Sequence, residues 1–252
     1  MNGGGLYMQE YAKKNFEKAL QLPMPNKTYA KLKAMDDYVA LIVRPGLINK
    51  HLSSDQLIVL ANLEESGAVK YSAGHSFIVT VHRSNVEQAM EKLTEVNLYV
   101  ASQTPSALFK CCDFCDGDLL DGLPLAKDLL EQVEQMPLKN RVRIGFNACT
   151  KACYNAVQDD LALIFHNGKV DVYGGAIPMG RRASSGQLLL KKVPENIVID
   201  VVKNILEKYN SSSIDKFAAF VDKNKTYFDQ LQKGGLYDNL EFKPNAAPSV
   251  NL

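Results

Sequence analysis

The placement of cysteine constrains this chain more than any other feature. Cys111, Cys112 and Cys115 fall within five residues, and Cys149 and Cys153 have three residues between them. An odd total of five, in two tight groups, is a poor basis for a disulfide framework. The first twenty residues hold no apolar run of the secretory type, so a reducing, cytoplasmic setting is expected. Clustered thiols in such a setting bind metal or carry out redox chemistry. A 4Fe–4S cluster needs four thiolates that converge from different directions. Cys149 with Cys153, and Cys115 with either Cys111 or Cys112, would supply them; the sequence leaves that last choice open. Zinc is the alternative: Cys112-x2-Cys115 suits it well, and Cys149-x3-Cys153 less well.

Charge narrows the partners. The 252 residues include 29 Lys or Arg and 28 Asp or Glu, a formal net charge of +1. No overall field favours a nucleic acid. No stretch reaches the roughly 18 consecutive apolar residues of a membrane span, so no membrane association is expected.

Hydrophobic periodicity predicts an α+β protein. Residues 1–36 read as an N-terminal arm with an amphipathic helix at 8–20. Over 37–102 the pattern is βαββαβ, the order of a ferredoxin-like domain. Its first strand carries Val39, Leu41 and Val43. Ser53 or Ser54 caps a helix with Leu57, Leu60, Ala61 and Leu63 inward. Two strands at 68–72 and 76–82 precede a helix capped by Ser84, with Val86, Ala89, Met90 and Leu93 on one face, and a strand at 98–101. Residues 103–209 read as a mixed α/β domain. It opens with a cysteine-bearing loop over 103–115 and a helix with Pro124 in its first turn. Val142, Ile144 and Phe146 alternate as a strand, and Cys153 is expected to open a helix. Asn167-Gly168 marks a hairpin, and Pro194 is expected to open a further helix. Residues 210–252 read as one helix, 217–231, and a tail.

Several motifs now combine. Cys149-x3-Cys153 is followed by six residues and then Asp160-Leu161-Ala162-Leu163. Cys115 is followed by Asp121 and by Leu125-Ala126, and Tyr173-Gly174-Gly175 precedes Gly180, Gly186 and Val193-Pro194-Glu195. In these motifs, across about residues 37–208, the chain resembles the repeated module of siroheme-containing sulfite and nitrite reductases. The resemblance implies a ferredoxin-like half followed by a 4Fe–4S and siroheme half. It implies an oxidoreductase in which Cys153 bridges cluster and haem iron, and sulfite or nitrite, a small inorganic anion, as substrate. The sequence carries no flavin or nicotinamide fingerprint, so electrons are expected from an external donor such as ferredoxin. A single module also implies a homodimer or a pairing with another subunit.

Three departures from the family pattern matter. Phe109 stands where the family's first cysteine falls, so Cys111 or Cys112 would replace it. Asn147-Ala148 stands where a small hydroxyl residue and Gly are usual. In Ser72-Ala73-Gly74-His75, Gly74 takes the place of the family's siroheme-contacting Arg. The macrocycle carboxylates would then fall to Arg44, Lys70, Arg83, Arg181 and Arg182, and proton donation to Lys151 and His75. Two other classes stay open: a siroheme-free electron-transfer or accessory iron–sulfur protein, and a tetrapyrrole-binding protein without turnover.

Overall fold

The computed structural model describes residues 36–48, 51–72, 74–153 and 156–233. The helix expected at 8–20 and the tail beyond 233 lie outside the described residues.

The first unit comprises β1 (Tyr38–Arg44), α1 (Ser54–Leu63), β2 (Lys70–Tyr71), β3 (Phe77–His82), α2 (Val86–Glu95) and β4 (Tyr99–Val100). Its sheet has the order β2-β3-β1-β4 with every pair antiparallel, the ferredoxin-like arrangement expected. Ser53 caps α1: its Oγ accepts from the Gln56 amide at 3.2 Å, and Gln56 Oε1 accepts from the Ser53 amide at 3.0 Å. The buried stripe of α1 is narrower than the periodicity predicts. Leu60 and Leu63 face the sheet, whereas Ala61 is exposed and Leu57 is 52% exposed. Ser84 does not cap α2. It lies inside a 3-10 turn, Arg83–Asn85, which tightens the chain before the helix starts.

The second unit comprises β5 (Ala107–Cys111), α3 (Leu123–Val133), β6 (Val142–Asn147), β7 (Leu161–His166), β8 (Lys169–Gly174), β9 (Gln187–Pro194), α4 (Val198–Ser211), α5 (Phe217–Lys223) and α6 (Lys225–Gln232). Strands β5, β6 and β7 are parallel; β8 and β9 continue the sheet antiparallel. Asn167 and Gly168 turn the β7–β8 hairpin with φ of 50° and 70°, the left-handed pair that a two-residue turn needs. Pro124 lies in the first turn of α3, as expected.

Four expectations change here. The stretch 103–115 is not all loop, because Ala107–Cys111 forms a fully buried strand. Pro194 ends a strand rather than opening a helix; α4 follows a 3-10 turn at Glu195–Ile197. Cys153 opens no helix among the described residues, and the chain instead makes a 3-10 turn at Ala156–Gln158. The single helix at 217–231 is two, broken at Asn224.

One face of the second sheet is apolar and covered by helices. Ala107, Phe109 and Cys111 of β5 and Val142, Ile144 and Phe146 of β6 share a core with Leu129 and Val133 of α3 and Val201, Val202 and Ile205 of α4. Phe217, Phe220 and Phe228 join it, so α5 and α6 pack into this core. The other face is tightly approached, with Ala162 and Ile164 of β7 packed against Ala156. A Cβ on Gly145 would come 2.4 Å from Asp159 Oδ2 and 2.9 Å from Ala156, so only glycine lets the turn at Ala156–Gln158 lie this close to β6.

Candidate functional site

Strands β5 and β6 are parallel with Cys111 opposite Phe146, so their carboxyl ends lie side by side. Ligands of open parallel sheets collect outside such ends. Both cysteine groups are there. Cys111 is fully buried on the helix-covered face. Cys112, the next residue, lies just beyond the end of β5. Its amide donates to Phe146 O at 3.0 Å and its Sγ accepts from the Ala148 amide at 3.2 Å. A hydrogen bond from the Cys111 thiol, joined by the Ala148 and Phe114 amides, brings the Cys112 thiol down to about 6 against the effect of burial. Burial pushes the Cys111 thiol the other way. The two thiols shift in opposite directions, and it is Cys112 that has backbone amides at its sulfur.

Cys115 is presented by an unusual turn. Phe114, Cys115, Asp116 and Gly117 have φ of 54°, 52°, 55° and 104°. Each non-glycine residue held left-handed costs roughly 1–2 kcal/mol, so the turn needs support. The Phe114 ring is buried beside Phe146, 6.3 Å between centroids. The Asp113 carboxylate accepts from the Cys115 amide at 3.3 Å, and the Leu119 amide donates to Phe114 O at 3.0 Å. The result is an exposed Cys115. Desolvation, and then the neighbouring charges of Cys149, Cys153, Asp113 and Cys112, raise its thiol. Beyond β6, Cys149 is half-buried and Cys153 exposed. The loop between them folds back through Ala152, with φ of 46° and its amide 3.3 Å from Cys149 O.

No three thiols of the described residues lie within 4.8 Å of one another. Tetrahedral zinc, with Zn–S near 2.3 Å, holds its sulfurs roughly 3.8 Å apart. As placed, the thiols of the described residues do not form a ready tetrahedral zinc site. Beside them, Asn147 is 1% exposed, and neither its Nδ2 nor its Oδ1 has a hydrogen-bond partner. A buried polar group left in that state costs about 1–3 kcal/mol.

A cleft lies between the two sheets. Ser72, Gly74 and Ser76 of the first unit face Lys110, Arg141 and Arg143 of the second across a cavity of about 370 Å³. Lys110 is buried and its Nζ lies 2.8 Å from Asp159 Oδ1. Burial raises the Asp159 carboxyl even against the attraction of Lys110. Arg143 Nε lies 3.0 Å from Asp160 Oδ2. Lys110 is the cleft residue nearest the cysteines in sequence, directly before Cys111.

These cations are not those singled out from the sequence. Arg44 is fully buried and paired with Glu134 at 2.6 Å, and it donates to Phe109 O. It joins β1 to β5 and the end of α3 and does not line the cleft. Arg83 donates to Asp36 O at the entry to β1. Lys70 is exposed on β2. His75 is half-buried at φ 57°, with Nδ1 3.0 Å from Tyr71 Oη; its neighbours Gly74 and Ser76, and not His75 itself, line the cleft. Arg181 and Arg182 are exposed in the β8–β9 loop, and Lys151 is exposed between the two cysteines of its loop. Arg143 could have been found from sequence: if Val142, Ile144 and Phe146 face a core, Arg143 faces away from it.

No protein-family model matches the chain. It is 29% identical, over 195 residues, to the cobalt-factor III methyltransferase of Priestia megaterium, which covers 77% of this chain and 36% of that protein. The chain thus spans about a third of the length of this curated relative. Among solved structures, it is similar to dissimilatory sulfite reductase I, with a TM-score of 0.62, 11% identity and coverage of 78% of this chain and 68% of the other. It is also similar to the NirA protein of Mycobacterium tuberculosis, with a TM-score of 0.63, 13% identity and coverage of 80% and 40%. The fold is therefore that of sulfite reductase chains, as the motif resemblance implied. Among the described residues, no helix is long and apolar enough to cross a membrane.

Proposed function

We propose that this chain is an iron–sulfur redox protein in which Cys112, Cys115, Cys149 and Cys153 hold one 4Fe–4S cluster, with siroheme in the cationic cleft between the two sheets. The observation that carries the reading is the meeting of two cysteine groups at the carboxyl ends of parallel β5 and β6, with Cys111 turned into the core. When bound, the cluster would supply single electrons and the siroheme an iron at which sulfite or nitrite is reduced. The chain's own residues have separable tasks. The Ala148 and Phe114 amides stabilise negative charge on Cys112. Lys110, Arg141 and Arg143 offer charge-assisted hydrogen bonds to carboxylates or to an inorganic anion. Asp159 keeps Lys110 oriented towards the cleft. Electrons come from a separate donor such as ferredoxin, and a second subunit completes the assembly.

A second reading has its own support. The cleft has Gly74 where the family's Arg is expected, and its volume lies at the small end of the ~300–1,000 Å³ usual for ligand sites. The relative at 29% identity is named for work on cobalt-factor III, a tetrapyrrole substrate. A module that binds a tetrapyrrole and passes it electrons, without reducing sulfite, fits both observations. Absorption spectra of protein purified without oxygen, with iron and sulfide counted, test the two together. A Soret band with about four irons and four sulfides beyond the haem iron is expected. A broad brown shoulder alone would favour a siroheme-free redox protein, and a colourless zinc protein would overturn the reading. Turnover of sulfite or nitrite with a reduced dye then separates enzyme from binding module.

A further inference from the structure

We infer that the Asn147 carboxamide donates a hydrogen bond to a sulfur of the bound cluster and sets its reduction potential. The inference rests on the 4Fe–4S reading above. Asn147 follows Phe146 on β6, and Cys112 follows Cys111 on β5. Cys111 and Phe146 are register partners with both side chains in the helix-side core. Asn147, the next residue of β6, therefore faces away from that core, and the amide of Ala148 beside it donates to Cys112 Sγ at 3.2 Å. The ladder continues that far, because the Cys112 amide donates to Phe146 O at 3.0 Å. Two residues further on, Cys149 begins the second cysteine group.

Asn147 is 1% exposed, and both polar atoms of its side chain lack a protein partner. A carboxamide in that state is an unusual thing for a fold to retain. The backbone amides already serve the Cys112 thiol from one side. A bound cluster would bring sulfurs with unfilled acceptor capacity to the same place. Hydrogen bonds to cluster sulfurs favour the reduced, more negative state and so raise the potential. Asn147 would act as a positioning and tuning residue rather than a group that exchanges protons or electrons.

The test compares two variants of nearly equal shape, Asn147→Thr and Asn147→Val, which differ in a hydroxyl donor. Iron and sulfide counts on the wild-type protein come first: no cluster there sinks the iron–sulfur reading itself, not the role of Asn147 within it. The cluster potential is then followed by spectroscopic redox titration. We expect the Val variant to be more negative than wild type and the Thr variant to lie between them. Loss of cluster from the Val variant alone would also support the donor role. Equal potentials in fully loaded Thr and Val variants, or loss of cluster from both, would overturn it.

Discussion

The two faces of β5 and β6 are built from alternate residues of the same ten or so positions, yet they obey different rules. On the helix side, Phe109, Cys111, Ile144 and Phe146 are excluded from water and hold the layers together. On the cleft side, Lys110, Arg143 and Asn147 are polar, and Gly145 is kept small by a passing turn. Cys111 and Cys112 carry the contrast in its smallest form. They share one functional group and adjoin in sequence, yet Cys111 packs in the apolar core and Cys112 Sγ accepts from the Ala148 amide at 3.2 Å. What a thiol touches matters more here than which residue it is.

The largest effect should come from Cys112→Ser, with iron and sulfide falling to background while Cys111→Ser keeps both near wild type. If the two variants behave alike, the division between the faces fails at its clearest point. Next, Phe146→Ala should cost about 3–5 kcal/mol in denaturant titration, the usual loss for a large core aromatic. A much smaller loss would mean that the apolar face is not the main source of stability. Cys111→Ser should itself cost about 1–3 kcal/mol, by burying a hydroxyl in an apolar core. Smallest is Arg141→Ala on the cleft side. Its stability should stay within about 0.5 kcal/mol of wild type, while spectroscopic titration shows weaker retention of a polycarboxylate tetrapyrrole. Unchanged retention would remove Arg141 from the cleft's work.

Much of this contrast was legible in advance, and the failures share a cause. The ferredoxin-like order, the Asn167-Gly168 hairpin and the two cysteine groups follow from local signals: alternation, turn residues and spacing. Strand β5 was missed because Lys110 interrupts its apolar run, and the compensating Asp159 lies 49 positions away in sequence (159 − 110). Arg44 is expected at a ligand because the resemblance calls for basic groups there; its partner Glu134 is likewise remote in sequence. The narrower stripe of α1 has the same origin, since helical spacing shows an apolar side but not how much of it the sheet covers. Buried charge was what sequence reasoning handled worst. Its cost is settled by partners that only the tertiary structure brings near.

The Arg44–Glu134 bond has a consequence for how the molecule comes together. It joins residues 90 positions apart, and Glu134 also accepts from Tyr99 Oη at 3.2 Å. Contacts of such long range are slow to form, because chain closure must precede any gain from them. The clasp ties β1 and β4 of one sheet to β5 and α3 of the other. The cleft has walls from both units, so its shape depends on the two sheets being held together. An occupant that recognises both walls binds the assembled chain and not its halves. Its binding energy is then added to the cooperativity of the whole molecule.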